Sequence, residues 1–222
     1  MIEPKQIIRR KRKSLALTIN ENGELIVYAP KTMPLFEIFD FVQKKQKWIQ
    51  SRSDVTKQIL NKYKDIVNYN EIFYLGKRYE VCETLGIDET FITEQSLLIK
   101  SYKNDTKKQL ALKQWYMGKV EDVLLPRVNK LSAFMKQKFS SVSIINSRAK
   151  WGMCDNKKNL YFNWKLVMLS PELIDYVIIH ELAHLIELNH SQKFWEIVKA
   201  VLPNYKHLKE VINKCGFLIR MF

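Results

Sequence analysis

Cysteine is scarce: only Cys82, Cys154 and Cys215 occur among 222 residues, without a C-x-x-C spacing. An odd, scattered set argues against a disulfide framework. Glycine and proline number six each, and no Gly-rich phosphate loop, low-complexity linker, Pro/Ser-rich boundary or internal repeat is visible. No uninterrupted apolar run approaches the roughly 20 residues of a membrane-spanning helix. Where a signal peptide carries its apolar block, the N-terminus offers Arg9-Arg10-Lys11-Arg12-Lys13. These absences lead to the expectation of a cytoplasmic protein without membrane contact. Acid is short too, with 23 Asp and Glu against 37 Lys and Arg, a net charge of +14. Such a surface attracts nucleic acid, nucleotides or acidic proteins. The Arg9–Lys13 cluster fits a phosphate-contacting patch and equally a basic strand edge that resists aggregation.

Histidine is scarce too, yet three of the four fall in one stretch, His180-Glu181-Leu182-Ala183-His184 and then His190. Residues four apart on a helix share a face, so His180 and His184 can aim at one ion. Glu181 is displaced from that line and suits a base acting on water rather than a ligand. A catalytic zinc takes three protein ligands and leaves a position open. His190 is the preferred third ligand, because Asn189 tolerates the left-handed conformation that ends helices and turns the chain back. Glu187 lies roughly 10 Å along the axis from His180 and is assigned a supporting or surface role.

The residues before the motif, Ile174 to Ile179, are apolar on nearly every side, as in a helix buried in mid-domain. Ser170-Pro171-Glu172 predicts its start, with a capping hydroxyl, proline at the first position and an acid in the first turn. The helix is expected over 171–188, followed by helices capped at Ser191 and running 205–214. Upstream, 142–145 and 160–164 suggest a hairpin, as do the strands around Leu15–Ile19 and Leu25–Ala29 about the Asn22-Gly23 turn. An amphipathic helix from Pro34 to about Leu60, strands at 72–75, 78–82 and 97–100, and a helical stretch over 105–138 kinked or divided at Pro126 complete the pattern. The fold class is α+β. The change from strands to helices divides it into a β-rich part with one long helix, 1–103, and a metal-binding helical part with a small hairpin or sheet, 104–222.

From Lys150 to Val198 the chain contains Lys-Trp-Gly-Met-Cys, Leu-Tyr-Phe-Asn-Trp-Lys-Leu, His-Glu-Leu-Ala-His-Leu and Asn-His-Ser-Gln-Lys-Phe-Trp. It resembles the YgjP-like metallopeptidase domain family, a zincin-like group related to SprT/Spartan-type proteases. Lys150 and Met153 replace the arginine and serine of the family's Trp-Gly motif. The resemblance implies a zincin-like fold, Zn2+ held by His180, His184 and His190, Glu181 as general base, and a peptide or protein substrate.

The expectation is therefore a zinc metallopeptidase. Arg148 and Lys150 are candidates for binding an anion or oxyanion, or are solvated charges. Tyr161, Tyr205 and His207 are candidates near the reacting carbonyl. Cys154 lies near enough in sequence to the hairpin turn to be considered as a metal neighbour. Two other readings stand beside this one. The same centre can serve a nucleotide phosphohydrolase, or the chain can be a DNA-associated protease or nucleic-acid-binding module.

Overall fold

Hydrophobic alternation in Leu25, Val27 and Ala29 places one face of a strand against a core, and the chain builds its first unit around it. The computed structural model describes residues 2–20 and 22–220. In this unit, residues 1–67, β1 (Gln6–Arg10), β2 (Ala16–Ile19) and β3 (Leu25–Pro30) form a sheet of order β1-β3-β2. The β2–β3 hairpin is as expected, but β1 was not foreseen: it runs parallel to β3. Arg9 is thereby drawn into structure, donating to the carbonyls of Pro30, Lys31 and Met33, while Arg10 lies 4.9 Å over the Tyr28 ring.

The expected long helix is two, α1 (Leu35–Lys44) and α2 (Gln46–Lys62), followed by the single turn α3 (Lys64–Val67). The break is at Lys45, whose φ of −102° and ψ of 11° leave the helical region. Bending there lets Ile38 and Val42 from one helix and Ile49 from the next share the core of Leu25, Val27 and Ala29.

The second unit comprises residues 68–222. Strands β4 (Glu71–Tyr74), β5 (Lys77–Thr84), β6 (Phe91–Ile92) and β7 (Ser96–Lys100) form a mixed sheet of order β4-β5-β7-β6. The strand-to-helix change at 103/104 therefore does not coincide with the division between units. The reason lies in the hydrogen bonds: Leu75 and Gly76 donate from their backbones to Val167 and Met168, and the Tyr116 hydroxyl donates to Phe73 O.

Asn104 caps α4 (Asp105–Phe134), its side chain accepting from Lys107 N. Pro126 does not divide this helix. It lies on the exposed side, where water can satisfy the carbonyl left without its N–H partner. The opposite side buries Leu112, Trp115, Tyr116, Val120, Leu124 and Val128.

β8 (Ser141–Ile145), β9 (Gly152–Cys154) and β10 (Asn159–Asn163) form a third sheet, of order β8-β10-β9. The expected hairpin between 142–145 and 160–164 is corrected: β8 and β10 are parallel, and the hairpin is β9–β10. After a 3₁₀ turn at Trp164–Met168 come α5 (Pro171–Ala183), α6 (Gln192–Val201) and α7 (Tyr205–Lys214). Pro171 starts α5 as predicted, though the Ser170 side chain makes no capping bond, whereas Ser191 does cap α6. Helix α5 is central, packing against α4, α6, α7 and β9.

Candidate metal centre

Helix α5 is shorter than its apolar pattern suggests, ending at Ala183 rather than near Leu188. Leu185 N donates to Leu182 O, and Ile186 and Glu187 donate to Ala183 O, a run of turns that curls the chain away. Asn189 is not left-handed, contrary to expectation. The succession of turns itself redirects the chain, and Ser191 N donates to Asn189 O just beyond His190.

His190 is nevertheless brought back. One ring nitrogen from each of His180, His184 and His190 lies within 4.8 Å of the others, and the Nε2 atoms of His180 and His190 are 3.0 Å apart. Phe194, fully buried on α6, lies under all three rings, with centroids 4.9, 4.5 and 4.8 Å away. Trp195 stacks on both His190 and Tyr205, with ring centroids 5.7 and 5.3 Å away, and Lys209 Nζ is 4.2 Å from the Trp195 ring centre.

The electrostatics favour neutral imidazoles at His180 and His184. Burial, with the neighbouring histidines and Lys209, pushes His180 down to about 3. Burial also lowers His184, against the opposing effect of its 3.0 Å hydrogen bond between Nδ1 and Glu187 O. With a proton on Nδ1, that bond leaves the Nε2 lone pair free for a cation. The backbone of Glu187, not its carboxylate, thus supports the cluster; the carboxylate lies 4.0 Å from Lys193 Nζ. The His180 Nδ1 atom is buried without a hydrogen-bond partner among the described residues.

Glu181 faces a different wall. It is only 5% exposed, and burial raises its pKa to about 8 against the pull of Lys150. Gly152 on β9 lies directly over it: a Cβ there would stand 2.7 Å from Glu181 Cγ and Oε1. The loop leading to Gly152 is tied down from beneath. Buried Asn163 donates through Nδ2 to Ser147 O (2.7 Å) and Lys150 O (2.9 Å) and from its backbone to Trp151 O, while Trp164 Nε1 donates to Asn146 Oδ1. Between loop and helices opens a cleft of about 220 Å³ lined by Lys150, Trp151, Gly152, Tyr176, Val177, His180, Glu181 and Ile212.

Of the other candidates, only Lys150 reaches this cleft. Arg148 donates to Arg220 O, and the Tyr161 hydroxyl donates to Asp155 at the β9–β10 turn. Tyr205 is packed behind Trp195, and His207 is exposed at the start of α7. The Cys154 thiol, raised to about 11 by burial and by Glu181 and Asp155, donates to Asp155 O and is outside the histidine cluster. Tyr176 and Val177 were not singled out, although they precede His180 by four and three residues and so share its face.

A family model described as YgjP-like, metallopeptidase domain, matches residues 13–215. The chain belongs to the YgjP-like family. It is accordingly a metallopeptidase-type hydrolase, for which a divalent metal and peptide or protein substrates follow. The crystal structure of the metallopeptidase zymogen of Pyrococcus abyssi abylysin is similar at 25% identity, covering 42% of this YgjP-like chain and 90% of its own, with a TM-score of 0.36. No curated protein matches the chain. Among the described residues no helix is long and apolar enough to cross a membrane.

Proposed function

We propose that the protein is a zinc peptidase in which His180, His184 and His190 hold the ion and Glu181 is the general base. The observation that carries this reading is the convergence of three imidazole nitrogens beside a buried carboxylate. An all-imidazole donor set suits zinc better than magnesium or calcium. Two nitrogens on a tetrahedral zinc stand roughly 3.3 Å apart, close to the 3.0 Å between His180 and His190. When bound, zinc polarises a carbonyl and lowers the pKa of water from about 15.7 towards 7.

The protein's own groups do the rest. Glu181 takes the proton of the attacking water and hands it to the departing amine, so that the peptide C–N bond breaks to an acid and an amine. Gly152 leaves room for that carboxylate. Strand β9 is at the edge of its sheet, where an extended peptide can add as a further strand through main-chain hydrogen bonds. Glu187 O orients His184, and Phe194 supports the three rings from below.

The test is elemental analysis of protein purified without a metal-affinity tag, paired with casein cleavage. Near-stoichiometric zinc is expected in wild type and Glu181→Gln but not in His190→Ala. Cleavage by Glu181→Gln should fall on the order of 10²–10⁴-fold. Absence of zinc after add-back, or full activity in zinc-loaded Glu181→Gln, would overturn the reading.

A further inference from the structure

The cleft beside Glu181 has a chemical character of its own. Tyr176 and Val177 from α5 and Ile212 from α7 are buried residues that line it, and Trp151 comes from the loop held by Asn163. Its volume of about 220 Å³ exceeds that of an apolar cavity of about 150 Å³ known to hold a benzene ring. Asn163, Trp164 and the Ser147 hydroxyl, which accepts from the Ala149 and Lys150 backbones, fix the loop. The wall it provides is therefore preformed, as specificity pockets generally are.

Direction follows from chemistry. If Glu181 delivers its proton to the departing amine, the residue bearing that amine lies on the Glu181 side of the reacting bond, and its side chain enters the cleft that Glu181 lines. We infer that this cleft receives a large apolar side chain, so that the enzyme cuts on the amino side of residues such as Phe, Leu and Met. The inference rests on the proposed role of Glu181. The cleft carries one group of each sign, Lys150 and Glu181, so neither a basic nor an acidic side chain gains a net charge advantage there, and either would lose hydration against the apolar walls.

The experiment uses zinc-loaded protein and three 2-substituted succinyl hydroxamates whose substituent is hydrogen, benzyl or 4-aminobutyl, titrated by calorimetry. The benzyl compound is expected to bind about tenfold or more tighter than the unsubstituted one, and the 4-aminobutyl compound no tighter. Ile212→Trp, which fills the cleft, should reduce the benzyl advantage to less than twofold. In parallel, cleavage of a peptide library should enrich Phe, Leu and Met immediately after the cut. Equal affinities in zinc-loaded wild type, or cleavage without that enrichment, overturn the pocket while leaving the zinc peptidase standing. Failure to bind zinc at all overturns the proposed function and the pocket with it.

Discussion

Two hairpins in this chain are built alike, and one of them lies against the buried Glu181 carboxylate. In the first unit Asn20 Oδ1 accepts from the backbones of Asn22 and Glu24; in the second, Asp155 Oδ1 accepts from those of Lys157 and Asn159. The fourth residue of each turn is left-handed, Gly23 at 78° and Lys158 at 63°. Each hairpin's second strand also pairs in parallel with an earlier one. Even the side-chain bond is mirrored, with amide and carboxylate exchanged: Asn20 donates to Glu24, and Asn159 donates to Asp155. The strands differ at one telling place. Leu17 pairs with Val27 and packs on the first core, while Gly152 pairs with Phe162 at the same distance from its turn. A shared scaffold supports a core where it carries a side chain and admits a carboxylate where it does not.

The sharpest way to break this comparison is Gly152→Ala. The added methyl contacts Glu181, and since a displacement of about 1 Å can cost on the order of 10²-fold in rate, casein cleavage should fall by about that much with the metal content unchanged. Leu17→Ala should do the converse, lowering stability by about 1–2 kcal/mol in urea unfolding without changing the rate per folded molecule. Equal losses of rate in both would deny the two positions their separate roles.

Smaller effects should separate the turns themselves. Asn20→Ala removes an acceptor of two backbone donors and should cost about 1–2 kcal/mol in the same assay. The corresponding acceptor in the second hairpin is ionisable. Hydrogen bonds from Asn159 lead the influences that hold Asp155 below its ordinary 3.8. Its contribution is therefore full above 3.8 and is lost as pH falls through the lower folded value. Hydrogen-exchange protection at the Lys157 and Asn159 amides should drop on acidification below 3.8, and should drop further than at the Asn22 and Glu24 amides, whose acceptor Asn20 does not ionise and loses only its bond to the Glu24 carboxylate.

A separate signal, outside both hairpins, is expected from Lys165, fully buried with Nζ donating to Ile219 O at 2.7 Å. Burial, with Arg148 and Lys113, lowers it from 10.5 to about 8. Between those values the unfolded chain binds the extra proton, so stability gains as pH rises from about 8 towards 10.5. Relative to Lys165→Met, the wild-type melting temperature should climb between pH 8 and 10; parallel profiles would refute the assignment.

Local chemistry was legible and distant pairing was not. The turn at Gly23, the start at Pro171, the cap at Ser191 and the His-Glu-x-x-His face depend on neighbours within a few residues. The parallel partners β1 and β8 depend on strands many residues away, which a hairpin pattern does not encode. The same limit hid the unit boundary, set by bonds from Leu75 and Gly76 to Val167 and Met168. At the centre, the three histidines and Glu181 stood out by type and spacing, and Tyr176 and Val177 were discoverable from their helical offset. Phe194 was visible as a buried helix position, but its place under three rings required the fold. Ile212 carried no such mark, and Gly152 stood out only as part of the Trp-Gly motif, because each matters through proximity to a residue far along the chain.

The fit between Gly152 and Glu181 also bears on how the gene tolerates change. Every other amino acid brings a Cβ, so no missense substitution at codon 152 spares the carboxylate beneath it. In a library of random variants selected for cleavage, that codon should stay glycine, whereas codon 17 drifts among apolar residues.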